Sequence, residues 1–329
     1  MMSEYHKKKQ QLQEFIAQKS LLPGAGHHCC ITIYPNEFSL AYTENSTDKL
    51  VLDYFATYPY DAAEGLKERL AAIVRQYHLK QASCSWILAP QDYQLIPTDA
   101  LPVTANEFQA AIRWKIKDTL HFPLDDVVID KFEIPQGKLS TLNKIMVVAA
   151  QYSYLQKMSE DIKAAGLRLN FIDIPELALR NIMALSEQEN QSHALIYIQN
   201  ATIQLLITHH KNLYFSRSLE FGLGGLNENE EELANRIDQL SGEIHRSFDY
   251  YEGQWRLPLP TSVTVASTKV TLAKTVDQLS QSLALPVQLL NLNDKLVTKQ
   301  AMDSEQQGKY LPMIGEFFRK EYERDATTN

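Results

Sequence analysis

The chain has 329 residues, of which 44% are hydrophobic and 22% charged, and a formal net charge of -8 at pH 7. Such a length holds more than one core, and the composition excludes disordered and fibrous classes. The acidic balance weighs against nucleic acid as a partner, and no apolar run reaches the roughly 18 residues of a membrane span.

Residues 1 to about 22 read as a helix with a thin apolar stripe of Leu12, Phe15 and Ile16 on a lysine- and glutamine-rich background, ended by "LPGAG". It is either an appended helix on the body or a basic membrane-surface helix. The polar start has no apolar core like that of a secretory signal. Cys29, Cys30 and Cys84 make no disulfide framework. A cytosolic chain is expected, held at any membrane by a partner.

Three strand-like runs follow, "CCITIY", "EFSLAYTE" and "KLVLDYFATY". Next come a helix in "DAAEGLKERLAAIVRQYH", with Leu66, Leu70, Ile73 and Val74 on one face, and the short strand "SCSWILA". The same order recurs from "ALIYIQ" through "TIQLLITH", "LYFSRSLEF", a long helix to "YYEGQW", strand "TSVTVAS", helix "LAKTVDQLSQSLA" and strand "PVQLLN". Between the two lies a segment that fits neither: strand "YQLIPT", helix "TANEFQAAIRWKIKDTL", strands "DVVIDKFEI" and "NKIMVVAAQ", helix "YSYLQKMSEDIKAAG" and strand "LRLNFIDI". Thr104 and Glu107 have the spacing of a capping box, and Gly166 suits a helix C-cap. The expected domains are 1–26, helix and linker; 27–90, part of a first unit; 91–173, an inserted α/β subdomain; and 174–329, crossover helix, second unit and last helix.

Several local motifs are weak. "HHCC" at 27–30 holds zinc-ligand types, but consecutive strand residues alternate faces and no Cys-x2-Cys partner follows. Buried cysteines beside solvated histidines are expected, and no metal. "GLGGL", with Gly222, Gly224 and Gly225, lacks the last glycine of a dinucleotide fingerprint and reads as a strand-to-helix turn. "THHKN" at 208–212 is a hairpin turn; no Walker-type loop or nucleophilic triad is legible.

An inserted subdomain at this point resembles the PilM/FtsA branch of the actin-like proteins. "AAIRWKIKDTLHFPLDDVVIDKFEIP", "AAGLRLNFIDIPELALRN", "EIHRSFDYYEGQW" and "YLPMIGEFFRK" are similar, in that order, to the wording of PilM-type proteins. The resemblance covers nearly everything after residue 28. It implies an actin-like ATPase (ribonuclease H-like) fold of the α/β class. Two similar βββαβα units would carry an SHS2-like α/β insertion.

The resemblance also says where nucleotide would sit, and there the sequence departs from it. The first hairpin of active members carries an Asp and a Gly; "ITIYPNEFSL" puts Thr32 and Tyr34 at those positions. The second hairpin, within "ALIYIQNATIQLLI", has Tyr197 for the acid and Gln199 for the glycine, with Thr202 where a hydroxyl is common. The adenosine loop offers Ala266, Ser267, Thr268 and Lys269 in place of a glycine run. Mg²⁺ is normally held through carboxylates and water, which neither Thr32 nor Tyr197 provides. Glycine admits positive φ and close backbone approach to phosphate, which Tyr34 and Gln199 oppose. A pseudo-ATPase with no catalytic residue and no bound cofactor is expected, with Mg-ATP binding as the alternative.

The function implied by the resemblance is a non-catalytic scaffold of a type IV pilus assembly platform. Its partners would be the cytoplasmic tail of a PilN-like inner-membrane protein and other platform proteins. The tail would lie between the first unit and the insertion, by backbone pairing and side-chain pockets. Arg113, Trp114, Phe122, Pro123 and Leu124 are the candidate contacts. Trp114 is open to two readings, core packing or partner anchor. An ATP-dependent switch and the cytoplasmic half of a type II secretion L protein are the alternatives.

Overall fold

A computed structural model describes residues 27–44, 51–61, 64–135, 143–186, 190–221, 230–268 and 273–319. The expected N-terminal helix within 1–26, the turn with Gly222, Gly224 and Gly225, and Lys269 lie outside the described residues. The chain divides into two compact units; the first comprises Met1–Thr47, Asp53–Ile134 and Leu142–Pro175.

The first unit begins with strands β1 (His27–Ile33), β2 (Glu37–Glu44) and β3 (Val51–Pro59). Helix α1 (Gly65–Gln76) follows, then β4 (Ser83–Ile87), which lies parallel to β1. From Cys29 to Ile33 every residue of β1 is buried, the pattern of a strand covered on both faces. Helix α1 starts later than the sequence pattern suggests. Asp61 ties down the turn before it, its carboxylate accepting from the Glu64 N–H at 2.9 Å, and Gly65 takes a φ of +76° that only glycine adopts readily.

Helix α3 (Tyr152–Ala164) and β8 (Arg168–Asp173) complete the unit. Here the structure corrects the sequence boundary, which put both in the insertion. β8 pairs in parallel with β4, and α3 packs against α1. A parallel strand takes its neighbour from the crossover that delivers it, so no local signal marks this pairing. Gly166 ends α3 at φ +104°, with its N–H on the Lys163 carbonyl and that of Leu167 on Ile162, a Schellman closure.

The insertion proper is therefore β5 (Tyr93–Asp99), α2 (Ala105–Ile116), β6 (Val127–Glu133) and β7 (Lys144–Gln151). Its strands form an antiparallel sheet in the order β5-β7-β6. Phe108, Ile112 and Ile116, spaced four apart on α2, meet Val127, Ile129, Ile145, Val147 and Ala149 from one face of that sheet. Burying each isoleucine of α2 stabilises the fold by roughly 1.5–3 kcal/mol. The capping box is half formed: Glu107 Oε2 accepts from the Thr104 N–H and hydroxyl, at 3.2 and 2.8 Å.

The second unit comprises Asp48–Leu52, Pro135–Thr141 and Glu176–Asn329. It opens with α4 (Pro175–Ala184), then strands β9 (Ser192–Ile198), β10 (Ile203–His209) and β11 (Asn212–Leu219). α5 (Glu230–Trp255), β12 (Val263–Ser267), α6 (Ala273–Leu283) and β13 (Val287–Leu289) follow. The sheet order β11-β10-β9-β12-β13 repeats, strand for strand, the order β3-β2-β1-β4-β8 of the first unit. Helices α7 (Ser304–Lys309) and α8 (Leu311–Phe317) end the described chain. The opening residues of β3, Val51 and Leu52, group with this unit, where they pair with Val297 and Thr298 (β14).

Candidate functional site

The second hairpin and the end of β12 come together because β9 lies between β10 and β12. Tyr197 is paired with Gln204 on one side and Ala266 on the other. Its ring is buried at 2% exposure, and its hydroxyl donates to the Gly308 carbonyl at 3.0 Å. Gly308 is itself pressed on β12: a Cβ there would stand 1.7 Å from the Ser267 carbonyl oxygen. Helix α7 thus covers the end of β12. Gln307 holds it there, accepting from the Leu292 N–H at 3.0 Å and donating to Asn293 at 3.2 Å.

Gln199 and Thr202 form the hairpin turn. The Gln199 N–H donates to the Thr202 carbonyl at 2.9 Å, and the Thr202 hydroxyl donates to Gln199 Oε1 at 3.1 Å. The Thr268 N–H is used on the Ile198 carbonyl at 3.1 Å. No residue from Gln199 to Thr202 has positive φ. Sequence reasoning missed α7, although "DSEQ" at 303–306 spells a capping box. Asp303 accepts from the Gln306 N–H at 2.8 Å, and Gln306 accepts from the Asp303 N–H at 3.2 Å.

In the first unit Thr32 is buried and paired with Ser39 and Ile87. The Tyr34 N–H closes the hairpin on the Glu37 carbonyl at 2.8 Å, and the Tyr60 hydroxyl donates to the Tyr34 carbonyl at 2.5 Å. A carboxylate that the motif reading overlooked, Asp92, acts on this turn. Burial, then the charges of Glu37 and Asp92, push the Tyr34 phenol above its usual range. Asp92 Oδ2 accepts from the Ala89 N–H and the Tyr154 hydroxyl, both at 3.2 Å, while burial raises its own carboxyl.

"HHCC" opens strand β1. Cys29 and Cys30 are buried, and burial pushes the Cys29 thiol up. The histidines are half-buried, not solvated as expected; His28 Nδ1 and Nε2 lie 3.2 Å from the hydroxyls of Ser83 and Ser85. Among the described residues no group of three or more His, Cys, Asp or Glu could hold a metal.

The insertion separates the five candidate contacts by role. Arg113 donates to the carbonyls of Leu124 and Val127 at 2.7 and 3.2 Å. Phe122 and Leu124 pack against the small core, and Pro123 is exposed before the 3-10 turn. Trp114 alone stands out, 60% exposed with Lys117 Nζ 5.1 Å from its ring centre. That rules out core packing for Trp114. Position 114 is two residues, about 200°, from the stripe of Ile112, so a helical-wheel reading finds the same answer. Asp126, unnoticed in the sequence, caps α3 from outside: Oδ1 accepts from the Ser153 N–H at 3.0 Å and Oδ2 from Gln151 Nε2 at 3.0 Å.

Both edges of the inserted sheet carry obstacles to strand addition. With the Ala100 N–H on the Asn143 carbonyl, the register turns residues 95, 97 and 99 of β5 outward. Pro97 has no N–H to offer there, and Lys115 donates to the Asp99 carbonyl at 3.0 Å. On β6, Arg113 occupies the Val127 carbonyl and the Asp130 side chain takes the Lys131 N–H at 3.0 Å.

A family model described as type IV pilus assembly protein PilM matches residues 60–243, more than half of the chain. The chain belongs to the PilM family. That span runs from the end of β3 through the whole insertion into α5, so the PilM match includes Arg113, Trp114 and Tyr197. Among solved structures, the chain is similar to one titled "PilM-PilN type IV pilus biogenesis complex" at 17% identity, over 89% of this chain and 96% of that one, with a TM-score of 0.65. A Bacteroides thetaiotaomicron protein with an actin-like ATPase fold is 12% identical over 87% and 96%, with a TM-score of 0.50. The cytoplasmic domain of EpsL from the Vibrio cholerae type II secretion system is 12% identical over 87% and 94%, at 0.47. At identities this low the first two matches speak for the fold alone, and the fold is actin-like. No curated protein matches the chain by sequence.

Proposed function

We propose that this PilM-family chain is a non-catalytic scaffold of a type IV pilus assembly platform, working at the cytoplasmic face of the inner membrane through a partner. The observation that carries the non-catalytic half is the seat of Tyr197, whose buried hydroxyl is spent on the Gly308 carbonyl where active members place an acid. Thr32, the other position of that kind, is equally without a carboxylate, and the turn N–H groups of Tyr34, Gln199 and Thr268 are bonded within the protein. Such residues do not fit Mg-nucleotide, which needs carboxylates and free backbone donors.

The partner reading rests on the similarity to a PilM solved with PilN and on Trp114, a large exposed aromatic in the family-matched insertion. The tail of a PilN-like protein would anchor on Trp114 by side-chain contacts, since the sheet edges oppose backbone pairing. Within the family, "SWILAPQDYQLIPTDALPV" and "IDIPELALRN" resemble the wording of MshI, so the machine we propose is an MSHA-type pilus. The test uses the folded full chain. A peptide copying the tail of the neighbouring PilN-like protein should bind at micromolar concentration, and millimolar Mg-ATP should leave the melting temperature unchanged. A ligand at 100 times its Kd adds about 2.7 kcal/mol, so a rise in melting temperature would favour an ATP-binding switch instead.

A further inference from the structure

We propose that the far end of the insertion is a second docking site, for a peptide segment that sets an apolar side chain beside an arginine or lysine. A cavity of about 460 Å³ opens there, within the 300–1,000 Å³ range of ligand sites. Leu101, Val103, Phe108 and Ile145 supply its apolar wall, and Val103 is 38% exposed. Gln109, Asp130 and Glu133 supply oxygen acceptors around it, and Gln109 Oε1 is buried with no hydrogen-bond partner.

The protein's own Lys131 reports what this surface prefers. Its Nζ sits 4.9 Å from the Phe108 ring centre and 3.1 Å from Glu133 Oε1, a cation held between an aromatic face and a carboxylate. Two carboxylates against one lysine leave the lining net acidic, complementary to a basic segment. The blocked strand edges make side-chain capture the available mode. Trp114 lies six residues along α2 from Phe108, about 9 Å of helix rise, so the two sites are separate.

The experiment follows the methyl NMR signals of Leu101, Val103 and Ile145 in the full chain. The probes are two N-acetylated hexapeptides, one alternating leucine with arginine and the other leucine with glutamate. The arginine peptide should shift those methyls in a saturable way that weakens with salt, and the glutamate peptide should not. Asp130→Asn with Glu133→Gln should weaken the arginine peptide about tenfold. Val103→Asp, at an exposed position, should abolish the shifts with the melting temperature kept. Trp114→Ala should leave this binding intact, which separates the outcome from that of the tail experiment. Equal response to both peptides, no shift at millimolar peptide, or unchanged affinity in the double variant overturns the proposal. So does concentration-dependent self-association that Val103→Asp breaks, because the occupant would then be a second copy.

Discussion

At Tyr197 a phenol hydroxyl reaches Gly308, 111 positions away in sequence. Tyr197→Phe keeps the ring and loses that bond, at a cost of about 1 kcal/mol in urea unfolding. Gly308→Ala should cost more, about 1–3 kcal/mol or beyond, because its methyl would meet the Ser267 backbone and not a movable side chain. Asp92 gives a prediction with a sign. Burial raises its carboxyl, so the folded state holds that proton more tightly than the unfolded chain does. Ionisation therefore costs stability: the penalty is absent below the ordinary carboxylate range and complete above the raised folded pKa. Asp92→Asn retains an oxygen for Ala89 and Tyr154, and should raise the melting temperature at pH 7 but much less at pH 4. At this scale the sequence was partly legible. That Thr32 and Tyr197 carry no carboxylate was visible, but the partner of Tyr197 was not, because nothing local points to a glycine in a later helix.

Among the elements, α2 and the turn after it show why the candidate contacts divide. The stripe of Phe108, Ile112 and Ile116 fixes which face of α2 is buried, and Trp114 falls opposite it. Trp114→Ala should change stability by less than about 0.5 kcal/mol yet weaken tail binding at least tenfold, measured on the same preparation. Asp126 predicts the reverse pattern. It caps α3 across 27 residues, so Asp126→Ala should cost about 1 kcal/mol in thermal unfolding. Strand and helix positions were readable from apolar period because each core face repeats at two or near four residues. The end of the insertion was not. β8 looks like any amphipathic strand, and its place beside β4 follows from the packing of α3 on α1.

Across the whole chain one topology is used twice: three strands, helix, strand, helix and strand in each unit, with the insertion placed after β4. That duplication was legible as element order although no sequence repeat exists, since the order survives where individual residues diverge. The fold and the PilM family thus agree with the element pattern. In the scaffold reading proposed above, nucleotide has no influence on partner grip. Calorimetric titration of the full chain with the tail peptide of the PilN-like protein proposed as its partner, with and without millimolar Mg-ATP, tests this most directly. The reading predicts one micromolar dissociation constant in both conditions. No binding by folded protein, or an affinity that changes with Mg-ATP, would contradict it.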